Sequence, residues 1–307
     1  MKYGIIGTGA IGGYYGSKLV RNGQEVHFLL HSDYAYVKAN GLTIDSWEGC
    51  FCIEHPNVYQ STQDMPVCDV VFVCLKSVNN IMLKTLLPPL VDEHTLVVLI
   101  QNGIGVEADV QAMFPTLQLA AGLAFICSSK TKPGVITHQC YGHITIGNYS
   151  CKDEALIQRV VSELNKAGVK AGLVDYNEAR WKKAVWNMPF NGMTVALNTR
   201  TDLLLKNPST RQLIKDQMIE VINTARFLGV EHIDESYAEL MLKMTDEMTP
   251  YSPSMKLDYD FKREMEIHYL YSRPLQIARE AGCPMQKLEM LEAELRFLQA
   301  AYLNEDK

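Results

Sequence analysis

The feature that most constrains the fold of this chain is a glycine-rich turn near its N-terminus. A short apolar run over residues 3–6 is followed by three glycines in G-x-G-x-x-G spacing, Gly7, Gly9 and Gly12. Apolar residues then recur at helical spacing over residues 11–19, and a second apolar run follows over residues 26–30. A strand, a glycine turn, a helix and a second strand in this order predict a βαβ unit.

The turn of such a unit is suited to hold a pyrophosphate. Backbone N–H groups at a helix N-terminus, and the positive end of the helix dipole, attract anions. Glycines let the phosphate approach the backbone closely. An ordinary strand–helix turn is the alternative interpretation of these glycines. The context favours a dinucleotide site formed by Gly7, Thr8, Gly9, Ala10, Ile11 and Gly12.

Composition and length limit the classes of protein to which the chain can belong. A chain of 307 residues predicts two domains, and its formal net charge of −6 argues against a nucleic-acid-binding surface. No apolar run reaches the ~20 residues of a membrane span. Lys2 is followed directly by a strand, so we expect no signal peptide and a cytoplasmic protein. The eight cysteines include no C-x-x-C and no zinc spacing, which predicts reduced thiols and no metal site.

The second predicted strand ends where many NAD-binding proteins place a carboxylate for the ribose 2′-hydroxyl. Here Leu30, His31 and Ser32 stand at that point, and Asp33 comes later. Without a carboxylate a 2′-phosphate is not repelled, and His31 and Ser32 are able to donate hydrogen bonds to it. The sequence therefore favours NADP, with NAD not excluded. A solvated loop histidine is the other interpretation of His31.

Two further apolar runs, residues 69–75 and 95–100, have the character of parallel strands that are buried on both faces. Between them, residues 79–90 carry an apolar pattern that suits a crossover helix, with Pro88 and Pro89 at its end. The alternation of strands and helices predicts a parallel, doubly wound sheet.

Ligands of open parallel sheets bind beyond the carboxyl ends of the strands. Four of the predicted strands end in residues that are able to contact such a ligand: Gly7, His31, Lys76 and Asn102. A solvated strand-end lysine is the other interpretation of Lys76. Because the four residues come from separate segments, we expect them to line a cofactor site at one edge of the sheet.

Shorter patterns predict the rest of the chain. They indicate a β-hairpin or a pair of edge strands over residues 42–53, a strand over 119–126, a hairpin of 135–138 with 143–147, a helix over 156–164 and a strand over 169–174. From residue 177 onward only helical patterns recur. We therefore predict an α/β dinucleotide-binding domain over residues 1–175 and an all-helical substrate domain over residues 176–307.

One predicted helix of the second domain carries a polar stripe. Lys183, Asn187 and Asn191 are spaced four residues apart and share one face of the helix. Their neighbours are apolar, and a polar stripe in such surroundings meets either solvent or a ligand. From spacing alone both interpretations remain open.

With these residues identified, the chain resembles the ketopantoate reductase family, the 2-dehydropantoate 2-reductases, over nearly its whole length. The motifs are the glycine turn, V-C-L-K ending at Lys76, Q-N-G over 101–103, W-x-K-x-x-x-N-x-x-x-N over 181–191 and S-M-x-x-D over 254–258, followed by Glu266. The resemblance implies a Rossmann domain and an all-helical domain like the C-terminal one of 6-phosphogluconate dehydrogenase, with the site in the cleft between them.

The resemblance also implies the roles of individual residues. Lys183 and Glu266 are the expected catalytic pair, with Lys183 the general acid and Glu266 beside it and the nicotinamide ribose. The oxo acid is expected to contact Asn102, Asn187, Asn191 and Ser254. Spacing alone leaves other roles open for two of these residues. Ser254 is also placed to be a helix N-cap, and Glu266 is also placed to pair with Lys262 four residues before it.

The chemistry suits these residue types. Hydride transfer to a ketone builds negative charge on its oxygen, which a nearby ammonium stabilises and protonates. Lys183 should work best if burial lowers its pKa towards neutrality. The implied activity is NADPH-dependent reduction of a 2-oxo acid to a 2-hydroxy acid, first of all 2-dehydropantoate to pantoate in pantothenate biosynthesis, by a monomer or homodimer.

Three departures from the family pattern leave alternatives open. His31 stands where the family usually has an arginine, Tyr251 where it commonly has an asparagine, and Tyr271 and Ser272 where Asn-Gly usually follows. Tyrosines at the mouth of the substrate site are expected to change its size and polarity. The alternatives are reduction of a different 2-oxo acid, oxidation of a 3-hydroxy acid, and a non-catalytic NAD(P)-sensing protein.

Overall fold

The computed structural model describes residues 1–250 and 252–303. Its internal contacts divide the chain into two compact units. Unit 1 contains Met1–Gln101 and Val106–Tyr176, and unit 2 contains Asn102–Gly105 and the residues from Asn177 onward. The short segment Asn102–Gly105 is therefore part of the second unit although unit 1 surrounds it in the sequence.

Unit 1 is built on one mixed sheet. Its strands are β1 (Lys2–Ile6), β2 (Glu25–Leu29), β3 (Leu42–Ser46), β4 (Phe51–Ile53), β5 (Asn57–Tyr59), β6 (Val70–Val73), β7 (Leu96–Leu99), β8 (Gln118–Lys132), β9 (Val135–Asn148) and β10 (Ala171–Val174). Its α-helices are α1 (Ala10–Arg21), α2 (Tyr34–Asn40), α3 (Leu83–Leu86), α4 (Val106–Met113) and α5 (Glu154–Lys166).

The strand order confirms the predicted α/β class. Among the described residues the order is β4-β3-β9-β8-β7-β6-β1-β2-β5, with β10 paired to β9. β1 lies between β2 and β6 and is parallel to both. The chain leaves β1 towards β2 and later returns to the other side of β1, which creates the switch point where doubly wound sheets bind their ligands.

The core of this sheet follows from its sequence. All four residues of β6 and of β7 are buried, as their continuous apolar runs predicted. α1 packs closely on the sheet because it carries glycines: a Cβ on Gly16 would lie 2.4 Å from the Phe28 ring. The predicted hairpin over residues 42–53 is confirmed as the antiparallel pair β3 and β4.

The hairpin predicted for residues 135–138 with 143–147 is wrong. These residues form a single long strand, β9, which runs antiparallel to β8. Phe125 is opposite His143 and Ile126 is opposite Tyr141, so Gly142 is an extra residue in the ladder. Gly142 has a φ of 111° and forms a β-bulge. A glycine in the sequence is typical of a bulge as well as of a turn, so the sequence did not distinguish the two.

The crossover helix predicted for residues 79–90 is only partly confirmed. The segment consists of a 3₁₀ helix (Ser77–Met82), the single turn α3 and a second 3₁₀ helix (Pro88–Leu90). The two prolines lack the N–H groups that a continuous helix needs. The sequence patterns also missed α2, β5 and α4, which are short.

The prediction that all the cysteines are reduced is wrong for one pair. Cys127 on β8 and Cys140 on β9 are directly opposite in the antiparallel ladder and form a disulfide, with their Cα atoms 5.1 Å apart. The pairing depends on the register of the two strands, which the spacing of the cysteines does not reveal. The other six cysteines are free thiols.

All the regular secondary structure in the described part of unit 2 is helical, which confirms the predicted all-helical domain fold. Its elements are α6 (Tyr176–Ala196), α7 (Thr201–Lys206), α8 (Pro208–Phe227), α9 (Glu235–Asp246), α10 (Ser254–Asp260), a π-helix (His268–Ser272), α11 (Arg273–Glu280) and α12 (Gln286–Leu303). They enclose an apolar core of their own. No helix in the described part of the chain has the length and apolar character needed to cross a membrane; the cytoplasmic location remains a prediction.

Candidate active site

The glycine turn of unit 1 is packed tightly on its protein side. Gly7 has a φ of +93°, and a Cβ there would lie 2.7 Å from the backbone nitrogen of Leu75. A Cβ on Gly12 would lie 2.4 Å from the carbonyl oxygen of Gly7. Both positions therefore require glycine. Gly7 needs it for its positive φ and for the close packing, and Gly12 needs it for the close packing alone.

The same turn is open on its other side. Apart from its neighbours in the chain, no described atom lies within 4 Å of the position of a Cβ on Gly9, so a ligand is able to reach the backbone there. The Thr8 hydroxyl donates a hydrogen bond to the carbonyl of Leu29 at 2.8 Å and holds the turn against the end of β2. Ala10 and Ile11 begin α1, whose first N–H groups are available to an anion. This arrangement fits the pyrophosphate of a dinucleotide.

The end of β2 presents His31 and Ser32 to solvent. Asp33 is buried instead and accepts hydrogen bonds from Lys130 Nζ at 3.0 Å and from the backbone N–H of Gly134 at 3.2 Å. Burial alone would raise the pKa of Asp33, but the hydrogen bonds from Lys130 and Gly134 outweigh it and hold the pKa below its usual range. The carboxylate that follows β2 is therefore buried and already paired within the protein.

Lys76 follows β6, which neighbours β1 in the sheet. It is half-buried and directly precedes the 3₁₀ helix that begins at Ser77. The Gln101 side chain, at the end of β7, donates hydrogen bonds of 2.7 Å to the carbonyl of Leu75 and to Asn80 Oδ1. Gln101 thus fixes the backbone next to Lys76. Gly7, His31 and Lys76 follow three adjacent parallel strands that end at the same level of the sheet.

Unit 2 contains a small, partly open pocket. Its walls combine polar groups with apolar side chains, and the lining residues are Gly103, Ile104, Arg180, Lys183, Ala184, Asn187, Met188, Tyr269, Leu270 and Pro274. Lys183 and Asn187 are two members of the polar stripe found in the sequence. These two members of the stripe therefore line a pocket, whereas the third, Asn191, is buried beyond it.

The pocket changes the acidity of its lysine. Burial lowers the pKa of Lys183 to about 7, the charge of Arg180 acts in the same direction, and the charge of Glu266 partly opposes both. A lysine with this pKa exchanges its proton near neutral pH, as a general acid must. Glu266 is 5% exposed and lies just before the π-helix.

The segment Asn102–Gly105 completes one wall of the pocket. The N–H of Ile104 donates a hydrogen bond of 2.9 Å to the carbonyl of Tyr269, on the π-helix. Gly103 has a φ of +101°, and a Cβ there would lie 2.4 Å from the Tyr269 carbonyl oxygen. These contacts hold Asn102 directly beside a pocket-lining residue.

Asn191 and Ser254 are placed differently from Asn187. Asn191 lies one turn beyond Asn187 on α6, where its Oδ1 accepts a hydrogen bond from the N–H of Met255 at 3.2 Å and its Nδ2 donates to the carbonyl of Asn187 at 2.9 Å. Ser254 is half-buried at the start of α10. Neither is among the residues that line the pocket, and their contact with substrate stays a prediction.

Two alternatives from spacing are wrong. The N-cap of α10 is Pro253 and Ser254 is already helical, so Ser254 does not cap this helix. Lys262, with a φ of 54°, follows the end of α10, and no helix connects it to Glu266, so the two do not form an i+4 pair.

The expectation that Tyr271 lies at the mouth of the site is also wrong. Tyr271 is fully buried in the helical core, and its hydroxyl donates a hydrogen bond to the carbonyl of Met188. On the π-helix, Tyr269 and Leu270 line the pocket. Tyr271 does not, and the absence of a side chain at Gly192 leaves room for its hydroxyl. Tyr251 lies outside the described residues.

Sequence patterns missed several pocket residues. Arg180 had a detectable signal, because its spacing of three and seven residues from Lys183 and Asn187 places it on the same helical face. Ile104 and Tyr269 had none, because they meet only through the tertiary fold.

An open Rossmann-type turn in one unit and a half-buried lysine of near-neutral pKa in the other fit a nicotinamide-dependent oxidoreductase. A family model described as ketopantoate reductase PanE/ApbA matches residues 3–150, and the model of the C-terminal region of the same family matches residues 175–299. The chain belongs to the ketopantoate reductase family, which confirms the resemblance seen in the sequence.

Individual relatives agree with this assignment. The chain is 41% identical over 303 residues to a 2-dehydropantoate 2-reductase of Nostoc sp., with 97% of this chain and 95% of the relative covered. The crystal structure of 2-dehydropantoate 2-reductase from Geobacter metallireducens is similar with a TM-score of 0.93 at 35% identity, with 96% of this chain and 99% of that one covered. D-mandelate dehydrogenase, solved with NADH and anilino(oxo)acetate, shares the fold with a TM-score of 0.90 at 20% identity, covering 98% and 99% of the two chains.

Proposed function

We propose that the protein reduces 2-dehydropantoate, also called ketopantoate, to pantoate with NADPH. The observation that carries the proposal is Lys183, whose pKa is lowered to about 7 in a pocket that also presents Asn187. The family to which the chain belongs and its similarity to 2-dehydropantoate 2-reductases support the same reaction.

The residues of unit 1 are suited to hold the cofactor. The backbone of Gly7, Gly9 and the first turn of α1 would bind the pyrophosphate, and His31 and Ser32 would face the 2′-phosphate of NADPH. The burial of Asp33 supports NADPH, because this carboxylate is paired with Lys130 and is not exposed to repel a phosphate. Lys76 would add a positive charge beside the cofactor. The nicotinamide, when bound, supplies the hydride.

The residues of unit 2 are suited to the proton transfer. Lys183, when protonated, would donate a hydrogen bond to the ketone oxygen, stabilise the negative charge that develops there and transfer its proton. Glu266 favours the protonated form of Lys183, against the effect of burial. The amides of Asn102 and Asn187 would orient the substrate. Asn191, through its hydrogen bond to Met255, would position the start of α10 and Ser254.

The test is cofactor oxidation, followed at the nicotinamide absorbance, with NADPH and NADH in separate assays. The substrates are ketopantoate, a panel of branched and unbranched 2-oxo acids, and 3-hydroxy acids in the reverse direction. Fast turnover of ketopantoate with NADPH is the expected result. Turnover restricted to another 2-oxo acid would mean that ketopantoate is not the substrate. Oxidation of 3-hydroxy acids would mean that the enzyme is a 3-hydroxyacid dehydrogenase. Cofactor binding without any turnover would favour a sensing protein.

A further inference from the structure

The pocket of unit 2 contains a second cation to which the proposed proton transfer gives no role. Arg180 is 2% exposed and lines the pocket together with Lys183 and Asn187. Its charge is close enough to Lys183 to lower the pKa of that lysine.

Arg180 and Lys183 are placed to contact neighbouring atoms of one ligand. They lie three residues apart on α6, about 4.5 Å along the helix axis, and on the same face. In a 2-oxo acid the carboxylate carbon is bonded directly to the ketone carbon. A ligand whose ketone oxygen meets Lys183 therefore has its carboxylate within reach of a cation one helical turn away.

The charges of the pocket also match an acid. The charged residues that line it, Arg180 and Lys183, are both cations, and Glu266 is the acid that acts on Lys183. A carboxylate ligand is complementary to the two cations that line this pocket. Arginine is also the side chain best suited to a carboxylate, because its planar fork donates two parallel hydrogen bonds.

We propose that Arg180 binds the carboxylate of the 2-oxo acid and makes the pocket selective for acids over neutral ketones. This inference rests on the proposed function and extends it by naming the guanidinium of Arg180 as the group that binds the substrate carboxylate. The amides of Asn102 and Asn187 are then left to orient the ketone and the rest of the substrate.

The experiment compares charged and neutral substrates in matched variants. Ketopantoate is paired with its neutral lactone, and 3-methyl-2-oxobutanoate with its methyl ester, for the wild type, Arg180→Met and Arg180→Lys. We expect Arg180→Met to raise KM for the acids by about two to three orders of magnitude and KM for the neutral partners by less than about threefold. Arg180→Lys should recover part of the loss, because it restores the charge without the fork.

Lys182→Met is the matched control. Lys182 lies on the same helix, pairs with Glu178 and does not line the pocket, so its removal should leave both kinds of substrate unaffected. Calorimetric titration with pantoate and with its lactone gives a second measurement that needs no turnover. Wild-type protein should prefer pantoate, and Arg180→Met should lose that preference.

The possible results separate the inference from the proposed function. If the wild type turns over no 2-oxo acid, the proposed function fails, and the titration still reports whether Arg180 binds a carboxylate. If the wild type reduces 2-oxo acids but Arg180→Met affects acids and neutral ketones equally, the inference alone is overturned. Weaker binding of NADPH by Arg180→Met, with acid selectivity intact, would assign Arg180 to the cofactor and also overturn it.

Discussion

At the scale of single residues, the proposed reduction depends most on Lys183. Lys183→Ala removes the proton donor, so we expect kcat to fall by about two to four orders of magnitude, the usual contribution of a positioned general acid. Steady-state kinetics with NADPH would measure the loss. Binding of NADPH should stay close to that of the wild type, and a Lys183→Ala enzyme with normal kcat would exclude Lys183 from the mechanism.

The pKa of Lys183 also sets the pH dependence. Reduction needs the protonated amine, and the pKa of that amine is about 7. We therefore expect kcat/KM for reduction to be constant below pH 7 and to fall about tenfold per pH unit above it. In the reverse direction the neutral amine is the base, so the profile should rise up to pH 7 and then level off. A reduction rate that rises above pH 7 would contradict this assignment.

His31 is the residue that bears on the choice of cofactor. It is exposed at the end of β2, where no carboxylate is displayed. His31→Arg places a permanent charge and a phosphate-binding fork there, so we expect the ratio of the Kd for NADH to the Kd for NADPH to increase by about tenfold. Fluorescence titration of both cofactors measures this ratio. An unchanged ratio would mean that His31 does not contact the 2′-phosphate.

At the scale of secondary-structure elements, the glycine turn must both pack against the protein and leave room for the cofactor. Two substitutions test these requirements separately. Gly12→Ala places a Cβ 2.4 Å from the Gly7 carbonyl oxygen, whereas Gly9→Ala places one in open space. We expect Gly12→Ala to lower the free energy of unfolding by about 1–3 kcal/mol. Gly9→Ala should leave unfolding nearly unchanged and weaken cofactor binding, because its Cβ occupies the space open to a ligand.

Thermal unfolding and cofactor titration of both variants provide the test. Equal losses of stability in the two variants would mean that Gly9 is also enclosed by protein. Normal NADPH affinity in Gly9→Ala would show that the pyrophosphate does not approach the turn at this residue.

Elements with strong local patterns were predictable from the sequence. β6 and β7 are buried on both faces and carry continuous apolar runs, and the alternation over residues 42–53 matches β3 and β4. Elements that depend on distant partners were not. Gly142 has the local signal of a turn, but β8 supplies a partner along the whole length of β9 and converts that turn into a bulge.

The candidate site was predictable to a similar degree. Helical spacing identified the stripe with Lys183 and Asn187, and the same spacing contains Arg180. Spacing could not reveal that Tyr271 turns into the core, because this depends on the π-helix and on the absence of a side chain at Gly192.

At the scale of the whole molecule, the structural integrity of unit 2 depends on a segment that the sequence places inside unit 1. Gly103→Ala would bring a Cβ to 2.4 Å from the Tyr269 carbonyl oxygen at a backbone φ of +101°. Left-handed strain alone costs about 1–3 kcal/mol, and the collision adds to it. We therefore expect a clear decrease in Tm together with loss of substrate affinity.

Gly229→Ala is the control for this prediction. Gly229 also lies in unit 2 with a positive φ, of +88°, but a Cβ there meets no atom within 4 Å. The Gly229→Ala variant should have the backbone strain without the steric clash, and it should keep its affinity for substrate. If the two variants are destabilised equally, close packing of Gly103 against Tyr269 does not contribute to stability.

The assignment of Asn102–Gly105 to unit 2 bears on how such chains can be recombined. The polypeptide passes between the units at three points, after Gln101, after Gly105 and after Tyr176. A chimera joined to a relative's chain after Tyr176 would inherit Gly103 and Ile104 from one parent and Tyr269 from the other. The close packing of Gly103 against Tyr269 would then have to be kept between segments from two parents. We therefore expect that exchange of a helical half requires exchange of residues 102–105 with it.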